Sequence, residues 1–98
     1  MATFQEIISG NKPVLVDFFA VWCGPCKMMS PILEEVKSTM GDDIKIIKID
    51  VDKNPELSSS LQVQGVPTLM VYKQGEVKWR QSGVVPAKEL QRILSQYI

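Results

Sequence analysis

Apolar residues recur along the chain with two different spacings, and the alternation between them outlines a fold. At positions 3–9, Phe4, Ile7 and Ile8 fall at helical spacing, and Gly10-Asn11 ahead of Pro13 ends the run. Positions 14–20 are apolar on both faces apart from Asp17, which predicts a strand buried in the middle of a sheet and carries Asp17 away from water with it. Positions 27–40 place Met29, Ile32, Leu33, Val36 and Met40 on a helical stripe closed by Gly41, with Pro31 predicted to kink it. Positions 44–50 are β-branched and apolar, interrupted by Lys45 and Lys48, and the turn Asp52-Lys53-Asn54-Pro55 leads into a short helix over 55–61. Positions 68–73 and 77–81 flank Gln74-Gly75 and predict an antiparallel hairpin. The last segment, 86–97, starts its helix near Pro86 and collects Leu90, Ile93, Leu94 and Tyr97 on one face. A strand-helix alternation followed by a hairpin and a final helix predicts an α/β fold, a mixed sheet covered by helices on both faces.

Composition narrows what such a fold can do. Ninety-eight residues with 45% apolar and 22% charged side chains suit one folded domain spanning 1–98. Eleven basic and eleven acidic residues cancel, so no net field draws the chain to nucleic acid or to an anionic membrane. No apolar run approaches the roughly 20 residues that span a bilayer. Residues 1–12 lack the basic-then-apolar pattern of a secretory leader, which points to the cytoplasm, although a chain trimmed of its leader reads the same way. The absence of histidine removes Ser-His and Cys-His couples and His-ligated metals. A proton shuttle near neutral pH then requires a carboxylate, Lys, Tyr or Cys of perturbed pKa.

The two cysteines stand three positions apart in Cys23-Gly24-Pro25-Cys26, between the buried strand and the long helix. They could close only a very small loop, which constrains the unfolded chain little. A zinc site needs four ligands and finds two cysteines and no histidine, so no metal is expected. Two inert buried thiols remain an alternative to a redox pair. In the redox reading, Cys23 sits at a helix N-terminus, where free N–H groups and the macrodipole favour a thiolate, and Cys26 is placed to attack a mixed disulfide formed on Cys23. Gly24 permits the tight entry, and Pro25 presets φ without needing a hydrogen bond.

The run from Val16 to Met28 around that motif, followed by Gly65-Val66-Pro67-Thr68, resembles the thioredoxin family. The similarity extends from about Phe4 to the C-terminus and includes Pro31, the turn 52–55, Gly75 and Gly83. The Gly-Pro pair between the cysteines resembles the reducing members. By resemblance, Cys23 is the exposed nucleophile, Cys26 the buried resolving thiol, and Asp17 the buried acid that exchanges a proton with Cys26 through water; the alternative for Asp17 is a carboxylate satisfied by backbone donors. Lys48 matches the family lysine near that acid, although a solvated strand lysine explains it equally well. The resemblance also implies a cis bond before Pro67 facing Cys23, whereas only about 5 to 6% of X–Pro bonds in folded proteins are cis. Trp22, Val66 and Gly83 would line a substrate groove there, with Trp22 otherwise a core aromatic and Gly83 a turn glycine. Phe19 stands where the family more usually has tryptophan. Trp79 reads as packing.

The resemblance implies a protein-disulfide reductase whose substrates are disulfide-containing proteins. The chain would bind no cofactor, and a flavin-dependent thioredoxin reductase would recharge it from NADPH. A docking module with incidental redox chemistry and an extracytoplasmic oxidase or isomerase are the rivals. Family members usually open with a strand before the first helix; without it the sheet has four strands in the order 44–50, 14–20, 68–73, 77–81, with the third and fourth expected antiparallel to the first two. Segment 44–50 then becomes an edge guarded by Lys45 and Lys48, which predicts a monomer with some tendency to self-associate and a lower stability than a five-stranded relative.

Overall fold

The computed structural model describes residues 2–98; Met1 lies outside the described residues. The chain opens with α1 (Phe4–Ile8), held by a reciprocal cap in which Thr3 N–H donates to Glu6 Oε1 at 3.0 Å and Glu6 N–H donates to Thr3 Oγ1 at 3.2 Å. Next come β1 (Val14–Phe19), the long α2 (Gly24–Met40), a single helical turn at Gly41–Asp43, and β2 (Lys45–Asp50). The chain finishes with α3 (Pro55–Ser60), β3 (Thr68–Lys73), β4 (Glu76–Ser82) and α4 (Ala87–Ser95). Helix α2 continues through Pro31. None of the helices is long and apolar enough to cross a membrane, among the described residues.

The four strands form one mixed sheet in the order β2-β1-β3-β4. β1 pairs parallel to β2, with Asp17 opposite Lys48, and antiparallel to β3, with Asp17 opposite Leu69. β4 is antiparallel to β3 and therefore runs parallel to β1 and β2. This corrects the expectation that both hairpin strands oppose the first two, because a two-residue turn reverses the chain and only β3 can run against them. The turn itself is Gln74-Gly75, whose φ values of 54° and 81° are both left-handed, the form whose twist matches a hairpin.

Alternation across the sheet divides the core into two layers. Leu15, Leu69 and Val71 face α2 and α4, meeting Met29, Leu33, Val36, Leu90 and Leu94. Val14, Val16, Phe18, Met70 and Tyr72 face α1 and α3. On that side the Phe4 ring meets Tyr72 edge-on at 5.5 Å. Leu15, Phe18 and Leu69 are fully buried, each stabilising the fold by about 1.5 to 3 kcal/mol. β1 thus lies between two strands and between two layers of helices, and its C-terminal end points the chain at the N-terminus of α2.

β2 is an edge strand among the described residues. Lys45 N–H donates to Pro13 and Val51 N–H to Phe19, so the odd-numbered residues of β2 bond β1 and the even-numbered ones point outward. The ends of that outer row are occupied: Lys37 Nζ donates to the Ile44 carbonyl at 2.9 Å, and the Asn54 side chain to the Asp50 carbonyl at 2.9 Å. The amides of Ile46 and Lys48 remain on the open edge and are expected to exchange hydrogen fast, while those of β1 are protected. Equal protection of both strands in dilute monomer would contradict an open edge.

Candidate functional site

The junction between β1 and α2 builds the site. Ala20 is buried, Cys23 N–H returns to the Ala20 carbonyl at 3.1 Å, and Cys23 in an extended conformation becomes the N-cap of α2. Gly24 and Pro25 fill the exposed first turn, where a missing proline N–H costs nothing. Cys26 N–H then donates to Cys23 Sγ at 3.1 Å, so the sulfur occupies the capping position that a Ser or Asp oxygen usually takes. The two sulfurs are joined as a disulfide with the Cα atoms 5.3 Å apart.

Both cysteines are 4% exposed, which corrects the expectation of an open Cys23 over a hidden Cys26. Ala20, Val51 and Val66 enclose the disulfide as a unit. The thiols differ in what each faces. Cys23 Sγ lies 3.6 Å from the Val66 carbonyl oxygen. Cys26 borders a cleft of about 200 Å3 lined by Phe19, Lys27, Ser30 and Lys48.

Asp17 lies on the α2-facing side of β1, the side it shares with Leu15. It is completely buried, and neither carboxylate oxygen has a hydrogen-bond partner, so the backbone-satisfied alternative does not hold. Burial pushes its pKa from 3.8 up to about 6, against a smaller downward pull from the Lys48 charge. Lys48 makes no ion pair with Asp17 among the described residues. Lys48 is an exposed residue, and its ammonium lies 5.0 Å from the centre of the Phe19 ring and donates to Ser30 Oγ at 3.2 Å. The strand register alone does not show these partners, because they come from α2 and from the end of β1.

On the other side of the disulfide, the Val66–Pro67 bond is cis and Pro67 is buried. Gly83 N–H donates to the Pro67 carbonyl at 2.8 Å from a φ of 94°, a conformation that favours glycine. Thr68 Oγ1 donates to the Gly65 carbonyl at 2.6 Å and lies 3.1 Å from Ser82 Oγ, tying the same loop to β4. Trp22 is 69% exposed, which removes the core-aromatic alternative, and its indole N–H donates to Asp52 Oδ2 at 2.8 Å. Asp52 is positioned by Asp50, whose carboxylate accepts the Asp52 N–H at 2.9 Å. Val21 and Met28 are exposed apolar neighbours in sequence of Trp22 and Lys27. Trp79 packs against the α2–α4 core.

The site thus gathers Cys23, Cys26 and Val66, joins Gly83 to Pro67, and leaves Lys48 apart from an ion pair with Asp17. Asp52, Thr68, Ser82 and Ser30 escaped the sequence reading. Asp52 carried only a turn signal, and the hydroxyls carried none, since Ser30 and Ser82 meet partners distant in sequence and Thr68 closes a loop that no periodicity marks.

Residues 1–96 match the family model described as Thioredoxin. A thioredoxin-like protein of Synechocystis is 47% identical over 98 residues, covering 99% of this chain and 93% of that protein. A thioredoxin of Alicyclobacillus acidocaldarius is 44% identical over 94 residues, 96% of this chain and 90% of the other. Among solved structures, a mutant thioredoxin from Halobacterium salinarum superposes with a TM-score of 0.84 at 36% identity, covering 99% of this chain and 87% of that one. Chloroplastic thioredoxin z superposes with a TM-score of 0.82 at 39% identity, covering 89% and 79%.

A carboxyl whose pKa is raised on folding binds more protons in the native state than in the unfolded chain, so stability falls as pH rises from 3.8 through about 6. The penalty above that window is on the order of 3 kcal/mol. Asp17→Asn is therefore expected to be the more stable protein at pH 8, by up to that amount less the cost of burying an unpaired amide, and to lose the advantage near pH 4. Denaturant unfolding at the two pH values checks this; a difference independent of pH would contradict it.

Proposed function

The chain belongs to the thioredoxin family, and from that membership we propose how its residues divide the work. It is a thioredoxin-type thiol-disulfide oxidoreductase whose redox pair is Cys23–Cys26, acting as a disulfide reductase. In the reduced protein, the Cys23 thiolate attacks one sulfur of a partner's disulfide and the other partner sulfur leaves as a thiolate. Cys26, giving its proton through water to Asp17, then attacks Cys23 Sγ and expels the second partner thiolate. Two electrons pass to the partner, and the Cys23–Cys26 disulfide remains.

The observation that carries this order is the Cys26 N–H directed at Cys23 Sγ at 3.1 Å, at the positive end of α2. A donor in that place favours the Cys23 thiolate, while no donor reaches Cys26 Sγ among the described residues. Asp17 serves as proton acceptor and donor because its pKa of about 6 lets it exchange a proton near neutral pH, and Lys48 adjusts that value. Gly24 and Pro25 keep the first turn narrow and exposed. The partner's segment lies extended beside Val66 and Pro67, pairs with the Val66 backbone, and is flanked by Trp22 and Gly83.

Residues 1–98 act as one domain and one monomer. The partners are disulfide-containing proteins and a thioredoxin reductase, which passes electrons from NADPH through its flavin; the chain itself holds no cofactor or metal and serves neither nucleic acid nor membrane. A reductant of this kind belongs in the cytoplasm, where thiols are kept reduced. With NADPH and a thioredoxin reductase, the protein is expected to turn over insulin disulfides, and Cys26→Ser to stall as a stable mixed disulfide through Cys23. Continued turnover by that variant, or preferential alkylation of Cys26 near neutral pH, would reverse the assignment.

A further inference from the structure

We propose that Ser30 is a positioning residue for the proton step, its hydroxyl holding the Lys48 ammonium in the cleft beside Cys26 so that the charge acts on the buried Asp17 without pairing with it. The role presupposes Asp17 as the proton group. Three contacts carry it. Lys48 Nζ donates to Ser30 Oγ at 3.2 Å, sits 5.0 Å from the centre of the Phe19 ring, and shares a cleft with both residues and with Cys26. Lys48 is opposite Asp17 in the β1–β2 register, yet no ion pair forms between them.

A lysine on an exposed edge strand has four rotatable bonds and a strongly hydrated head, so water is its default destination. A ring face and one hydroxyl hold it back here. The Ser30 hydroxyl is neutral and does not cancel the charge it holds, unlike a carboxylate in the same place. The charged and titratable groups around Ser30 and Lys48 of β2 are Cys26, Lys27, Glu34 and Lys37, all from α2, while Asp17 of β1 stands opposite Lys48 in the register and beside Leu69 of β3. Lys27 is exposed and, among these groups, Lys48 is the one whose charge acts on Asp17. Ser30 therefore sets where that charge stands.

Removing the hydroxyl releases the ammonium to solvent, weakens its attraction for the carboxylate and raises the pH at which Asp17 can accept the Cys26 proton. The test is stopped-flow reaction of the reduced protein with an aromatic disulfide that releases a coloured thiolate at each step, across pH 5 to 9. Ser30→Ala is expected to raise the pH midpoint of the second release by roughly 0.3 to 0.5 pH unit, and Ser30→Thr, which keeps a hydroxyl, to restore it. An unmoved or lowered midpoint overturns the proposal, also where denaturation shows Ser30→Ala to be less stable, since the hydroxyl is then purely structural. Asp17→Asn separates the two levels. If it abolishes the pH dependence of the second release while Ser30→Ala leaves the midpoint in place, only the positioning role fails; if it leaves that dependence intact, the assignment of Asp17 fails and takes the role with it.

Discussion

Everything in this molecule hangs from the burial of β1 on both faces and along both edges. Pairing with β2 and β3 satisfies its backbone, and the helices on either side take up Leu15 and Phe18. A strand so enclosed has little freedom at its end. It delivers Ala20 and then Cys23 to a fixed point, where the first turn of α2 begins and the Cys26 amide meets the Cys23 sulfur. The same enclosure shuts one carboxyl, Asp17, off from bulk solvent and leaves it without a hydrogen-bond partner among the described residues.

Two opposing effects act on that carboxyl, and their sizes decide its state. Desolvation is the larger; the ammonium of Lys48, on the open edge strand and engaged with Ser30, recovers only part of it. The result is an acid with a pKa of about 6 in a chain that has no histidine to titrate there. The fold bears a cost on the order of 3 kcal/mol at neutral pH, a substantial fraction of the stability of a domain this small. Two complete hydrophobic layers make such a cost tolerable.

Much of this was legible in the sequence, for physical reasons that differ from residue to residue. The near-continuous apolar run at 14–20 reads as a central strand because only double-sided burial explains it, and the hairpin follows from Gln74-Gly75 because few residues accept left-handed φ. Cys23 and Cys26 were placed by a motif at a strand-to-helix junction. The direction of β4 was misread, although the same turn chemistry implied it. The equal burial of the two cysteines was not readable, because neighbours from distant segments, Val51 and Val66, create it. The same holds for Asp52 beneath Trp22 and Ser30 beside Lys48: a polar residue aimed at a distant partner leaves no periodic trace.

The double-sided burial of β1 leaves Asp17 uncompensated and shifts it toward neutrality. Carbon-13 NMR titration of the Asp17 side-chain carboxyl in the oxidised protein measures this directly. The expected midpoint is near 6. A midpoint near 3.8 would mean that the carboxylate is solvated or paired, and that burial of β1 does not hold it neutral.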